Sequence, residues 1–154
     1  MNIRISGMVA VMALFFVNDA FAQAMEATFF PTLFWENSVN LGVMLIKPNE
    51  MLVLDSKGNK HQKVLTAEGV SSVYISPNGQ KLVYTTRTSI WMVELGTGQT
   101  QLVAKGDCYS LRWSADSMSF LFTVWKTIQE DSSTSRFKLL WADGDGKNVK
   151  QVYP

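Results

Sequence analysis

Few residues in this chain combine the chemistry and spacing needed to act on a substrate or hold an ion. His61 is the only histidine and Cys108 the only cysteine. A zinc site draws on three or four such ligands, and nucleophilic catalysis on a paired base, so neither group has a partner of its own kind. His61 stands in Asn59-Lys60-His61-Gln62-Lys63, a polar strand start, and reads as an exposed strand residue. A single cysteine cannot staple its own fold; Cys108 reads as a buried, inert thiol, with an intermolecular disulfide as the other possibility. Asp143-Gly144-Asp145-Gly146 has the look of a calcium loop. Such a loop needs glycine at its sixth place and glutamate at its twelfth, where this chain has Asn148 and Pro154. A β-turn is the expected outcome. No Gly-x-Ser-x-Gly elbow occurs, so a serine-hydrolase domain of that kind is not expected. The reading is of a protein without catalytic residues, metal or cofactor.

The elements that must carry any binding site are strands. The chain has 154 residues, 47% hydrophobic and 18% charged, with a formal charge of +1. That length suits one domain, and the balance predicts no nucleic-acid partner, which would need clustered Lys and Arg. From about Leu41 onward short apolar runs alternate with turn residues, and no helix-length run of 3.6 periodicity appears. Ser76-Pro77-Asn78-Gly79 suits a type I turn joining residues 73–75 to 81–86. Ser114-Ala115-Asp116-Ser117 repeats that plan 38 residues later, with Pro and Gly replaced. A second hairpin recurs three times, over residues 50–66, 90–104 and 139–154, each with its turn closing on a glycine. Those glycines, Gly58, Gly98 and Gly146, are 40 and 48 residues apart, and each is expected at positive φ. Four short strands repeating about every 40 residues are the signature of a β-propeller blade.

The blades are placed at about 33–66, 71–104 and 109–154, within a domain of 23–154. The fold class is all-β, a propeller-like set of about three four-stranded antiparallel blades. Propellers usually have four to eight, so the arc is incomplete. A second copy, a capping partner or further blades of a longer chain would each complete it. Trp91, Trp113 and Trp141 fall inside strand patterns and are expected in the core, whereas Trp35 and Trp125 lie nearer strand ends.

In an antiparallel four-stranded blade, second-to-third loops and blade-to-blade connections share one end. That end gathers residues 85–89, 105–109 and 125–136. Functional residues concentrate on loops held by a rigid scaffold, so Arg87, Lys105, Asp107, Trp125, Lys126, Glu130, Asp131 and Arg136 are the candidate binding residues, a polar surface around Trp125.

Two further features bear on function. Arg4, the apolar run Met8 to Val17 and the small-x-small Ala20-Phe21-Ala22 read as a signal peptide, residues 1–22, cleaved after Ala22. An apolar run of that length is about half of what a membrane-spanning helix needs, so no transmembrane segment is expected in the mature chain. Residues 71–154, with "SPNGQKLVYTT", "SIWMVELGTGQTQLVA" and "LLWADGDGKNVKQVYP", resemble the repeats of the TolB propeller and related WD-like propellers of bacterial envelopes. The resemblance covers residues 41–66 in their second half only, and the chain has no room for TolB's separate N-terminal α/β domain. It implies a periplasmic or secreted, non-catalytic protein–protein interaction module. The alternatives are an inactive propeller remnant of a larger peptidase or oxidoreductase and a small-molecule sensor using a central channel.

Overall fold

The computed structural model describes residues 31–36, 38–66, 69–125 and 137–153. The expected signal peptide and four of the candidate residues, Lys126, Glu130, Asp131 and Arg136, lie outside the described residues. No helix occurs among the described residues; they form twelve strands. Blade 1 comprises β1 (Thr32–Glu36), β2 (Leu41–Lys47), β3 (Glu50–Asp55) and β4 (Lys60–Leu65). Blade 2 comprises β5 (Ser72–Ile75), β6 (Lys81–Thr85), β7 (Ser89–Glu94) and β8 (Thr100–Lys105). Blade 3 comprises β9 (Cys108–Trp113), β10 (Ser119–Trp125), β11 (Phe137–Asp143) and β12 (Val149–Tyr153). Each sheet is an antiparallel meander in sequence order. The first strands meet one another, β1 with β5 and β5 with β9. They therefore lie innermost, and β4, β8 and β12 form the outer edges.

The turns explain why the chain folds back where it does. In the β5–β6 turn Gly79 adopts φ 69° and donates its N–H to the Ser76 carbonyl at 2.8 Å. Ser76 Oγ accepts the Lys81 N–H at 3.0 Å and lies 2.8 Å from Asn78 Oδ1. The β9–β10 turn repeats this atom for atom: Ser114 Oγ accepts from Ser119 N–H at 3.0 Å and lies 2.6 Å from Asp116 Oδ1. There Ser117 takes the left-handed conformation, φ 62°, that Gly79 supplies in blade 2. Between β1 and β2 of blade 1 it is Asn40 that takes a positive φ, 53°. Asparagine tolerates that region better than other residues with a Cβ, which is why a turn without Pro or Gly still closes. The three later glycines, Gly58, Gly98 and Gly146, sit at φ 80°, 74° and 66° as expected.

Strand alternation then sorts the side chains. On β10, Phe120, Phe122 and Val124 point toward blade 2. They meet Val83, Ile90 and Met92 there, with Leu111 and Ala142 beside them, in one buried cluster. Leu82, Tyr84 and Val93 of blade 2 are buried on its other face, where their register partners Val73 and Ile75 also lie, and blade 1 buries Val43, Leu45, Met51, Leu52, Val53 and Val64. Blade 2 is thus apolar on both faces. Trp113 packs on Phe120 with ring centroids 4.8 Å apart, and its indole N–H donates to the Tyr74 carbonyl at 3.2 Å. Trp91 stacks on Tyr84. Trp141 departs from expectation. It pairs across the sheet with Leu121, on the blade 3 face turned away from blade 2, and Lys150 Nζ sits 4.6 Å from its ring centroid. A strand with bulky residues on both sides does not reveal which side is the seam.

Candidate functional site

The loop end of the blades is assembled by main-chain hydrogen bonds. The connection from blade 2 to blade 3 is tied to the β6–β7 loop by Gly106 N–H donating to the Thr88 carbonyl at 2.7 Å. It is tied to the end of β10 by Trp125 N–H donating to the Asp107 carbonyl at 2.9 Å. Lys105, Asp107 and Trp125 therefore share this end, with Arg87 on the adjoining loop. Arg87 also borders a hollow of about 540 Å³ shared with Gly69, Val70, Ser71 and Thr86. The Trp125 ring has an aromatic neighbour across the sheet. It meets Phe137 edge-on with centroids 4.6 Å apart, and Phe137 in turn meets Tyr109 at 5.4 Å. The three rings form an aromatic row on the face of blade 3 that no other described strand covers, its free face among the described residues, beside Leu121.

Among the described residues blade 1 has a comparable free face. Trp35 and Leu33 lie over Gly42, where an added Cβ would come within 2.6 Å of the indole. Glycine at this position lets the ring lie flat on the sheet. Leu65 is exposed on the same side. Along the inner strands Phe34, Trp35, Tyr74, Arg112 and Trp113 border a groove of about 330 Å³. Neither the aromatic row nor this groove was anticipated from sequence. The signal for the row is the alternation of β10, whose outward positions Leu121 and Trp125 are as apolar as its inward ones.

The turn carboxylates are engaged in structure. In the β3–β4 turn the Asp55 carboxylate accepts from Asn59 Nδ2 and from the Asn59 and Lys57 N–H groups, each at 2.8 Å. These bonds hold its carboxyl below the usual range. Asp143 does the same in the β11–β12 turn. Burial works against its ionisation, but bonds from Asn148, Lys147 and Gly146 outweigh it and depress the carboxyl. Both Asp143 carboxylate oxygens thus accept from the turn's own donors. Lys81 Nζ reaches Asp145 Oδ1 at 2.6 Å across the seam between blades 2 and 3, and this hydrogen bond lowers the Asp145 carboxyl. His61 is exposed, 3.7 Å from Asp55. Among the described residues no three His, Cys, Asp or Glu side chains come together as ligands, and no helix is long and apolar enough to cross a membrane.

Cys108 is half-buried at the start of β9, and burial pushes its thiol up to about 11, with the Asp107 carboxylate adding to the effect. Only the thiolate is nucleophilic. The native chain at pH 8 is therefore expected to react with iodoacetamide about a hundredfold more slowly than the urea-unfolded chain, since two pKa units are a hundredfold in thiolate. Equal rates by mass spectrometry would show that the thiol is open.

No protein-family model and no curated protein matches the chain. Solved structures match by fold. The β-propeller domain of the Trilobed protease from Pyrococcus furiosus, described as having an open velcro topology, superimposes with a TM-score of 0.63 at 18% identity, over 82% of this chain and 43% of that one. The tricorn protease gives 0.61 at 16% identity, over 73% of this chain and 12% of that one. The acylaminoacyl peptidase of Pyrococcus horikoshii gives 0.57 at 20% identity, over 82% and 26%. The chain is thus a partial β-propeller, spanning less than half the length of each of these proteins.

Proposed function

We propose that this chain is an exported, non-catalytic propeller-repeat module of the bacterial cell envelope, of the TolB-like and WD-like kind, acting through protein–protein contact. One observation carries the reading. The outer faces of blades 1 and 3 present aromatic and aliphatic side chains where a blade face is ordinarily packed, and contiguous exposed apolar surface marks interfaces. The hydrogen-bonded turn carboxylates Asp55 and Asp143 and the weakly acidic Cys108 fit a structural role better than a chemical one. In-cell photo-crosslinking from position 121 tests it. Adducts to protein are expected, and a chain that forms none in the envelope would overturn the reading.

The propeller remnant of a larger peptidase is the second reading. It is favoured by the peptidase names of the similar structures and by the small share of each that this chain spans. Hydrolysis of peptide substrates by a longer product of the same reading frame would favour it over the module.

Export gives a separate check. Arg4, the apolar run and Ala20-Phe21-Ala22 are expected to direct cleavage after Ala22. Mass spectrometry of the envelope fraction should find Gln23 as the new N-terminus, and intact Met1 on cytoplasmic protein would contradict it.

A further inference from the structure

We propose that the free face of blade 3 is covered by the free face of blade 1 from a second copy of this chain, so that two copies close a six-bladed ring about a two-fold axis. The proposal rests on the reading of the chain as an interaction module and names its partner.

Within the chain, each blade is gripped by the turns of the blade that follows. The β11–β12 turn of blade 3 sits on blade 2. There the Gln101 amide donates to the Asp145 carbonyl and Lys81 Nζ reaches the Gly144 carbonyl at 2.9 Å. The β7–β8 turn of blade 2 sits on blade 1, where a Cβ on Gly98 would lie 2.9 Å from Gln62 Nε2. The first-hairpin turns follow the same order. Gly79 lies against Val39 and Leu41 of blade 1, and Asn78 N–H donates to Ser117 Oγ of blade 3 at 3.0 Å. The β3–β4 turn of blade 1 has the same form, with Gly58 at φ 80°, yet a Cβ there would meet nothing within 4 Å. Gln62 pairs with Val53, Gln101 with Met92 and Lys150 with Trp141. Lys150 therefore occupies, on β12, the station of the two seam glutamines.

A ring-closing seam continues the existing ones. Lys57 precedes Gly58 as Asp145 precedes Gly146, so its carbonyl would face Lys150, a donor replacing the glutamine amide. Its ammonium would come to the station of Lys81, which on blade 3 is the neutral Ser119. Both faces are apolar: Leu33 is 58% and Leu65 66% exposed on blade 1, Leu121 44% and Tyr109 76% on blade 3. Four strands about 4.8 Å apart and about six residues long give a face of roughly 400 Å². Two such faces per copy approach the roughly 800 Å² per partner of a stable specific interface.

The test places thiols at the new seam. In a Cys108→Ser background, Lys57→Cys combined with Lys150→Cys is expected to give a covalent dimer with a short bismaleimide. Light scattering of the unsubstituted chain is expected to give twice the chain mass. Gln101→Cys with Asp145→Cys, at the existing seam, is the control and should crosslink within one chain. A dimer that fails to join positions 57 and 150 while the control succeeds would overturn this geometry. So would a monodisperse monomer at micromolar concentration. If that monomer crosslinks in the envelope to a different protein, the second copy is excluded and the interaction module stands. If it crosslinks to nothing, both fail.

Discussion

Replacing Phe122 with alanine is expected to destabilise the chain by about 3–5 kcal/mol, the usual cost of emptying a buried phenylalanine site. The side chain is 1% exposed and stands mid-way along β10, opposite Leu111 of β9 and Leu140 of β11. It packs on Phe120 with ring centroids 5.7 Å apart and faces Val83, Ile90 and Met92 across the seam. These neighbours sit on two separate sheets, so collapse around the vacated volume would require the sheets to slide past the turns that lock them. Relief is therefore limited, and the cost should fall in the upper part of the range. Urea titration followed by tryptophan fluorescence should show the midpoint falling with little change in slope. Val152→Ala, on the exposed outer strand β12, should stay within about 0.5 kcal/mol. Equal effects from the two substitutions would mean that the blade 2–blade 3 seam is not the core of the fold.

The fold was legible where turn chemistry is local. Ser76 and Ser114 each bond the strand residue five positions on, and that pattern is visible as a serine and a strand start at fixed spacing. Asp143-Gly144-Asp145-Gly146 could be assigned to a turn because its flanking residues lack the calcium pattern, and the structure shows its donors spent on Asp143. Blade 1's first hairpin was harder to see, since Asn40 reaches φ 53° without Pro or Gly around it. Burial was less legible than strand position. Trp141 and Trp113 occupy similar apolar runs, yet one lies on a free face and the other at a seam. Propeller strands are apolar on both sides, so only the neighbouring sheet decides which side is covered. The end of the blades carrying Arg87, Lys105, Asp107 and Trp125 followed from meander topology alone. The orientation of the Trp125 ring did not, because it depends on Phe137, its register partner across the sheet and distant along the chain.

The three homologous turn glycines should give a graded series when each is changed to valine. All three sit at positive φ, where a residue with a Cβ is strained by about 1–2 kcal/mol. At Gly58 nothing else is added, because the new Cβ would have no neighbour within 4 Å; in dilute protein the cost should be the backbone strain alone. At Gly98 the new atom meets the tip of Gln62 at 2.9 Å, a flexible end that can swing away, so the cost should rise little. Gly146 differs. Its Cβ would come within 2.7 Å of Met92 Cε and 3.0 Å of both Gln101 Nε2 and Val103 Cγ2. Methionine can move, but Gln101 holds the Asp145 carbonyl and Val103 is branched at its own Cβ. Overpacking there should add about 1–3 kcal/mol, and it acts on the turn that couples blade 3 to blade 2. Chemical denaturation of the three variants should therefore rank Gly146→Val well above the other two. Three equal losses would show that only the backbone conformation matters at these turns, and that the seating of one blade's turn on the preceding blade contributes nothing to holding the arc together.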